Sequence, residues 1–280
     1  MNVDNTRGHA WLLCNERLDQ NDENNSVSAA AEHDLADIVV DPATSAIIKQ
    51  IIDDIVLTFG DADLGQLVSM ISQTFLDTPY QANTLIGSAG LTERLVANFG
   101  GVDCFTLLDY VCALARSHGE REFFTQLATI RYHAGEIDFM QRNHFFSDWF
   151  AREPANAIDI TGELSPDVIT VSKNLNRKGT DEEYIPGLGI VAREITYIPT
   201  EKINDDAVTR LNSGDLIGIY SKSQGLDVTH VGFLIKDPAG VYLRNASSLK
   251  ANMKVVDSPL LEYLQNKLGI VVLRLRPSRI

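Results

Sequence analysis

The stretch Val228-Thr229-His230-Val231-Gly232-Phe233-Leu234-Ile235 decides how the second half of this chain folds. Its β-branched and aromatic residues predict a buried strand. The sequence Asp237-Pro238-Ala239-Gly240 is typical of a tight turn, and Val241–Asn245 predicts a second strand that returns beside the first. The predicted hairpin therefore holds one polar ring, His230, in an apolar strand, where the ring needs a hydrogen-bonding partner.

The length of the turn decides whether Asn245 can be that partner. A loop of two or four residues places His230 and Asn245 on one face of the hairpin, whereas a three-residue loop places them on opposite faces. In the first register, Asn245 can hold one imidazole nitrogen while the other nitrogen faces a nucleophile. For an isolated strand, a core histidine satisfied by the backbone is the alternative.

Outside the hairpin, helical periodicity gives way to strand-like segments along the chain. Apolar residues at four-residue spacing predict helices from Ser45 to Phe59, over Leu64–Phe75, after a cap at Asp103, and from Gly119 to about Arg131. The segment between the second and third helices, which contains Gly87 and Gly90, predicts a loop. Further strands are predicted at 157–160, 168–171, 190–198, 216–220 and 270–275, with short helices near 202–211 and 259–267. Helices followed by strands favour an α+β fold.

The composition is that of an acidic globular protein. The 280 residues include 24 Lys+Arg and 38 Asp+Glu, which gives a net charge of −14. This charge excludes a nucleic acid as the main partner, because such surfaces need clustered cations. No apolar run reaches the ~18 residues of a membrane-spanning helix. Residues 1–42 carry nine acidic residues against Arg7 and Arg17 and predict a loosely ordered tail, followed by a single domain over 43–280.

Cys104 is the candidate nucleophile. If Asp103 caps the helix, the thiol lies on the first turn, where the helix dipole can lower its pKa from ~8.5 to roughly 3.5–7.5. A buried structural cysteine is the alternative, and Cys112, deeper in the same helix, is expected to be one. The cysteines and histidines show no spacing typical of a zinc site, so no metal or other cofactor is expected.

Three motifs in a fixed order carry a resemblance to a known family. They are Val102-Asp103-Cys104-Phe105-Thr106, then Thr229-His230-Val231-Gly232-Phe233 about 125 residues later, then Leu243-Arg244-Asn245-Ala246-Ser247. Further matching segments are Asp77–Tyr80, Leu95–Phe99, Arg142–Trp149 and Glu194–Pro199, so that the match covers roughly residues 70–278. The chain resembles the N-acetylmuramoyl-L-alanine amidase-like family within the NlpC-type branch of papain-like cysteine hydrolases.

The resemblance implies a papain-like α+β fold, with N-terminal helices followed by an antiparallel sheet or barrel. It implies hydrolysis of the amide between N-acetylmuramic acid and L-alanine in peptidoglycan fragments. It assigns Cys104 as the nucleophile, His230 as the base, Asn245 as the orienting residue in a place where His is common, and Tyr80 as an oxyanion donor. A related endopeptidase or acyltransferase is one alternative, and a catalytically silent binding module is another.

The resemblance also indicates where a muropeptide binds, in an inserted segment around residues 132–200. The polar groups of the segment 142–149 can hydrogen-bond the carboxylates and amides of a muropeptide, and its tryptophan can stack on a sugar face. The candidate substrate-binding residues are Arg142, Asn143, His144, Asp148, Trp149 and Ser247. A loop that the aromatic residues of 142–149 dock on the core is an equal alternative, and His144 is a rival to His230 as the base. We expect a monomer located in the periplasm or secreted, although the first residues lack a secretory signal. A cytoplasmic recycling enzyme is the alternative.

Overall fold

The computed structural model describes residues 38–180 and 182–277. Residues 1–37 of the predicted tail therefore lie outside the described residues. Ile38–Val40, at the end of the predicted tail, form strand β1 and pair in parallel with a strand of the domain.

Four longer helices fill the N-terminal half of the described chain. They are α1 (Pro42–Ile51), α2 (Leu64–Gln73), α3 (Cys104–Leu114) and α4 (Glu120–Arg131). A π-helical turn, Ile52–Val56, continues α1. The side chains of Asp41, Asp63 and Asp103 cap the first three helices, because each carboxylate accepts backbone N–H groups of the first turn. The predicted helices are confirmed.

The remaining helices are short. They are α5 (Asp148–Ala151), α6 (Thr161–Leu164), α7 (Asp205–Arg210) and α8 (Leu260–Leu264), with 3₁₀ turns at His133–Gly135, Phe139–Gln141 and Thr200–Lys202. Of these, α7 and α8 lie within the two short helices that the sequence predicts.

Strands beyond β1 form a small sheet and a large one. The strands are β2 (Ile86–Ser88), β3 (Leu91–Ala97), β4 (Ala157–Asp159), β5 (Ile169–Leu175), β6 (Val191–Pro199), β7 (Leu216–Tyr220), β8 (Val228–Asp237), β9 (Gly240–Ser247), β10 (Lys254–Pro259) and β11 (Gly269–Leu275). The small sheet has the order β1-β3-β2. The large sheet is antiparallel in the order β10-β9-β8-β7-β11-β6-β5, with β4 paired to β11. The predicted α+β fold with an antiparallel sheet is confirmed.

One sequence prediction fails in this part of the fold. The loop predicted around Gly87 and Gly90 is wrong, because β2 and β3 form an antiparallel hairpin there. Strand β10, which pairs with β9 at the edge of the large sheet, has no counterpart among the predicted strands.

The hairpin of β8 and β9 adopts the register that joins His230 and Asn245 on one face. Asp237 pairs with Gly240 across a two-residue loop, and Phe233 pairs with Arg244. This register brings Gly232 against Asn245, where an added Cβ would lie 3.1 Å from the Asn245 Cβ atom. The register predicted for a two-residue loop is confirmed.

Both faces of the large sheet are covered. Helix α3 packs its buried residues, among them Leu107 and Leu108, into the same core as Phe233. The second core joins Leu234 of β8 to Leu264 of α8. Because residues alternate between the two faces along a strand, the two cores fix the positions of β8 and β9 from both sides.

Candidate active site

Cys104 is the first residue of α3, as the sequence predicts. The Thr106 backbone N–H donates to Asp103 Oδ1 at 2.8 Å, and the Asp103 backbone N–H donates to Thr106 Oγ1 at 2.9 Å. This reciprocal pair is a capping box, which fixes where the helix begins. The thiol is therefore held at the N-terminal end of a helix whose opposite side is packed in the core.

The thiol of Cys104 contacts β8. Its sulfur accepts a hydrogen bond from the backbone N–H of Val231, the residue that follows His230. Burial raises the pKa of Cys104 to about 12, and the neighbouring Asp103 carboxylate raises it further, while N–H donors of Val231 and Phe105 lower it. The expected low-pKa thiolate is wrong, because the cost of burying the charge exceeds the stabilisation by these donors. The resting group is a neutral thiol.

His230 is held by Asn245 at the start of the hairpin. The distance from His230 Nε2 to Asn245 Oδ1 is 3.0 Å. Burial lowers the pKa of His230 to about 4; the hydrogen bond to Asn245 opposes this shift, and the charge of Lys267 adds to it. The imidazole is therefore neutral at physiological pH and can accept a proton.

The partners of Asn245 fix which ring nitrogen carries the proton. The Asn245 Nδ2 group donates to the Leu243 carbonyl oxygen at 3.0 Å and to Ser258 Oγ at 3.3 Å. With both donors directed away, Oδ1 accepts from His230 Nε2, and Nδ1 keeps the lone pair. Ser258 lies on β10, which the sequence does not predict as a strand, so its role could not be predicted.

The residues on either side of Tyr80 form backbone hydrogen bonds with Val102, just before α3 begins. The Val102 backbone N–H donates to the Pro79 carbonyl oxygen at 3.0 Å, and the Gln81 N–H donates to the Val102 carbonyl oxygen at 2.9 Å. The backbone of Tyr80 is thereby held beside Val102, two residues before Cys104.

Tyr263 and Lys267 adjoin the site and were not predicted. The ring centroids of Tyr263 and His230 are 6.3 Å apart, and the pKa of Tyr263 is raised by burial and by the nearby Cys104. Lys267 Nζ lies 5.2 Å from the centroid of the Tyr263 ring. The sequence offers one signal, since residues four apart on a predicted helix share a face.

Arg142 lies inside the protein on a carboxylate. Its guanidinium forms a bidentate ion pair with Glu93 of β3, with Nε–Oε1 and Nη2–Oε2 distances of 2.7 Å each. Both partners are buried. A bidentate arginine in such a pair has its preferred acceptor already.

The neighbouring Asn143 and His144 also bond to the backbone of the protein. Asn143 Nδ2 donates to the Ile130 carbonyl oxygen at 2.9 Å, and His144 Nε2 lies 2.8 Å from the Phe139 carbonyl oxygen. Burial, followed by the charge of Arg142, lowers the pKa of His144 to about 3. His144 thus has the properties of a core histidine satisfied by the backbone.

Asp148, Trp149 and Ser247 are buried as well. Asp148 pairs with Arg193 at 3.0 Å, and Ser247 Oγ accepts from Asn252 Nδ2 at 3.2 Å. Trp149 exposes only 1% of its surface, which argues against stacking on a sugar. These positions favour the alternative in which the segment 142–149 is a loop docked on the core.

The described residues contain neither a candidate metal site nor a candidate membrane-spanning helix. Within 38–180 and 182–277, no group of three or more His, Cys, Asp or Glu side chains could hold a metal ion. Over the same ranges, no helix is long and apolar enough to cross a membrane.

Comparisons with known proteins place this site in a family context. The model of the AmiA-like family, described as N-acetylmuramoyl-L-alanine amidase-like, matches residues 70–270. A crystal structure of an N-acetylmuramoyl-L-alanine amidase from Bacteroides uniformis is 32% identical, covering 77% of this chain and 100% of that chain with a TM-score of 0.64. No curated protein matches the chain.

Two further solved structures are similar. A Bacteroides fragilis protein provisionally named a xylanase is 30% identical over 74% of this chain and 99% of that chain, with a TM-score of 0.60. A Legionella pneumophila protein of the family model DUF1460 is 20% identical over 84% of this chain and 95% of that chain, with a TM-score of 0.70. At that identity, the Legionella structure supports the fold alone.

Proposed function

Because the chain belongs to the AmiA-like family of N-acetylmuramoyl-L-alanine amidase-like proteins, we propose that it is a cysteine amidase. Its substrate is the amide between N-acetylmuramic acid and L-alanine in peptidoglycan fragments. One observation carries the mechanism. Asn245 Oδ1 lies 3.0 Å from His230 Nε2, and Val231, the residue after His230 on β8, donates its backbone N–H to the Cys104 sulfur. A nucleophile, a base and an orienting group in this order are the parts of a cysteine hydrolase.

In the proposed reaction, Cys104 attacks as a thiol that loses its proton during the attack. His230 Nδ1 accepts that proton while the sulfur bonds to the carbonyl carbon of the muramoyl group. The oxyanion is stabilised by the Cys104 backbone N–H and the Tyr80 hydroxyl. Protonated His230 then gives its proton to the departing amine of L-alanine, which leaves a muramoyl thioester on Cys104. His230 deprotonates a water that attacks this thioester, and the thiol and the free muramoyl acid are formed.

The arrangement of elements supports the NlpC-type, papain-like assignment as part of this proposal. A helix begins at the cysteine, and an antiparallel hairpin follows with the histidine on one strand and the orienting residue on the next. We propose that residues 43–280 form one catalytic domain. The segment 142–149 supports this domain from within, because its polar groups bond to Glu93, Arg193 and backbone carbonyls.

Mass spectrometry of purified muropeptides after incubation tests the cleaved bond. The proposal expects release of the intact stem peptide with a free L-alanine amine, together with the free sugar acid. Products cut within the stem peptide would identify an endopeptidase instead, and the absence of any product would favour a binding module. Xylan is a suitable control substrate, because a retaining or inverting glycosidase uses paired carboxylates rather than a thiol.

The substrate suggests the compartment. Peptidoglycan and its fragments lie largely outside the cytoplasm, so we propose a periplasmic or secreted monomer. Fractionation of cells that express the full-length gene product tests this proposal. A purely cytoplasmic signal would instead support recycling of imported fragments.

A further inference from the structure

The cation of Lys267 shares a neighbour, Tyr263, with His230. The ring centroid of His230 is 6.3 Å from that of Tyr263, and Lys267 Nζ is 5.2 Å from the Tyr263 centroid. Tyr263 is half-buried and packs against the second core, which fixes the ring that both groups adjoin. The positive charge of Lys267 is therefore held close to the candidate active site.

The backbone of Lys267 is tied on both sides. Its N–H donates to the Leu264 carbonyl oxygen at 2.8 Å, and its own carbonyl oxygen accepts from Thr200 Oγ1 at 2.9 Å. These bonds set the point from which the side chain extends over Tyr263.

The ammonium itself keeps its hydrogen-bonding capacity. Lys267 is exposed, and no carboxylate forms an ion pair with it within residues 38–180 and 182–277. The contact with the face of Tyr263 is electrostatic and uses none of the three N–H donors. These donors can therefore form a charge-assisted hydrogen bond to an anionic group of a ligand.

A local cation matters in this chain because its net charge is −14. An anionic substrate approaches such a protein against a repulsive field, and a positive group beside the site offsets that field where the substrate binds.

We propose that Lys267 binds the free carboxylate of the second residue of the stem peptide. This inference rests on the proposed function. In the proposed substrate, L-alanine precedes an acidic residue linked through its side chain, so that residue's α-carboxylate remains free. A free carboxylate about two residues from the cleaved amide lies ~7 Å from it, and a hydrogen bond extends that reach by about 3 Å. Lys267 Nζ lies within a comparable range of His230, because it is 5.2 Å from the Tyr263 centroid, which is 6.3 Å from the His230 centroid.

Two substrates that differ by one charge test the proposal. N-acetylmuramoyl-L-alanyl-D-glutamic acid carries the α-carboxylate, and the D-isoglutamine analogue has an amide in its place. The unmodified protein should cleave the acid with a kcat/KM roughly fivefold above that for the amide, which is the scale of one exposed ion pair. Lys267→Met should raise KM for the acid by about the same factor, so that the preference for the acid over the amide is lost.

Two further variants control for charge and position. Lys267→Arg should keep the preference for the acid, because the guanidinium keeps the cation. Lys236→Met removes the same charge near the far end of β8, where Nζ donates to the Thr209 carbonyl oxygen, and should leave the preference intact.

The outcomes separate this inference from the proposed function. Equal kcat/KM for the two substrates, or a preference that survives in Lys267→Met, would overturn the role of Lys267 while the amidase activity stands. If the native sequence cleaves neither substrate, the proposed function fails and this inference fails with it.

Discussion

Burial sets the protonation states of the two side chains proposed to react. The pKa of Cys104 is raised to about 12 and that of His230 is lowered to about 4, in each case mainly because the charged form loses its hydration. The pair is therefore neutral at rest, and the proton moves when a substrate carbonyl is present. The sequence predicts the positions of these residues but not their pKa values, since burial depends on β8 and α8, which are distant from α3 in the chain.

The pH dependence of kcat/KM follows from these directions. The base is active while His230 is neutral, so kcat/KM should be level from about pH 5.5 to 8 and fall only as the pH approaches 4. A profile of log kcat/KM against pH measures this. An acid limb centred near the ordinary histidine value of ~6.5 would contradict a base whose pKa is lowered by desolvation.

Unfolding must be separated from titration in that experiment. The folded pKa of His230, about 4, lies below the unfolded value of ~6.5, so the folded state binds fewer protons and loses stability as the pH falls through this window. The loss reaches about 3 kcal/mol from this ring below pH 4. Circular dichroism at each pH identifies the range in which the fold persists.

Asn245 should affect the rate through the orientation of His230. In Asn245→Ala, the imidazole of His230 loses the hydrogen bond from Nε2 to Asn245 Oδ1. The kcat of this variant should fall roughly 10- to 100-fold, the scale of a misplaced catalytic group. Asn245→His restores the residue common at this place and should retain much of the activity. Steady-state kinetics should rank the native sequence first, then Asn245→His, Asn245→Ala and Cys104→Ala. An unaltered kcat and kcat/KM in Asn245→Ala would remove Asn245 from the mechanism.

At the scale of elements, the β8–β9 hairpin aligns the base with its orienting residue. Gly232 is required by a close approach rather than by its backbone angle: an added Cβ would lie 2.6 Å from the Arg244 carbonyl oxygen and 3.1 Å from the Asn245 Cβ atom. A side chain here would push the strands apart beside the His230–Asn245 bond.

Gly232→Ala should therefore lower both the stability and kcat. Forcing a methyl group into a packed site costs about 1–3 kcal/mol, and the displaced Asn245 should reduce kcat beyond what the loss of folded protein explains. Gly162→Ala is the control, because an added Cβ there meets nothing within 4 Å. The explanation fails if Gly232→Ala matches the control in both melting temperature and kcat.

The elements differ in how well the sequence predicts them, for physical reasons. Helices α1 to α4 have apolar residues at helical spacing, and aspartates cap the first three. The β2–β3 hairpin contains Gly87 and charged residues, so its composition favours a loop. Strand β10 lies at the sheet edge and ends at Pro259, a position where proline is tolerated but where it weakens the strand signal.

At the scale of the whole molecule, burial indicates whether the side chains of the segment 142–149 stabilise the fold or contact the substrate. The sequence places Arg142, His144 and Trp149 in one polar and aromatic segment, and this composition fits a binding loop and a core loop equally. The structure buries all three side chains. Sequence spacing could not settle this, because the partner of Arg142 is Glu93, and Glu93 lies on β3 in a segment that the sequence predicts as a loop.

Arg142→Met should act on stability rather than on substrate binding. Removing the guanidinium leaves the Glu93 carboxylate buried without its partner, which should cost about 3–5 kcal/mol in the free energy of unfolding. The double variant Arg142→Met with Glu93→Gln should recover part of that loss, because no charge is left unpaired. Denaturant unfolding measures both, and KM of the remaining folded protein should be unchanged. A large increase in KM without loss of stability would return Arg142 to the substrate-binding site.

The central claim is that the Cys104 sulfur forms a covalent bond to the muramoyl group. Rapid quenching of the reaction with N-acetylmuramoyl-L-alanyl-D-glutamic acid, followed by mass spectrometry of the digested protein, measures this directly. We expect a mass increase of one muramoyl acyl group on the peptide that contains Cys104, no such adduct on Cys112, and no adduct or turnover in Cys104→Ala. Undiminished turnover in Cys104→Ala would contradict the account.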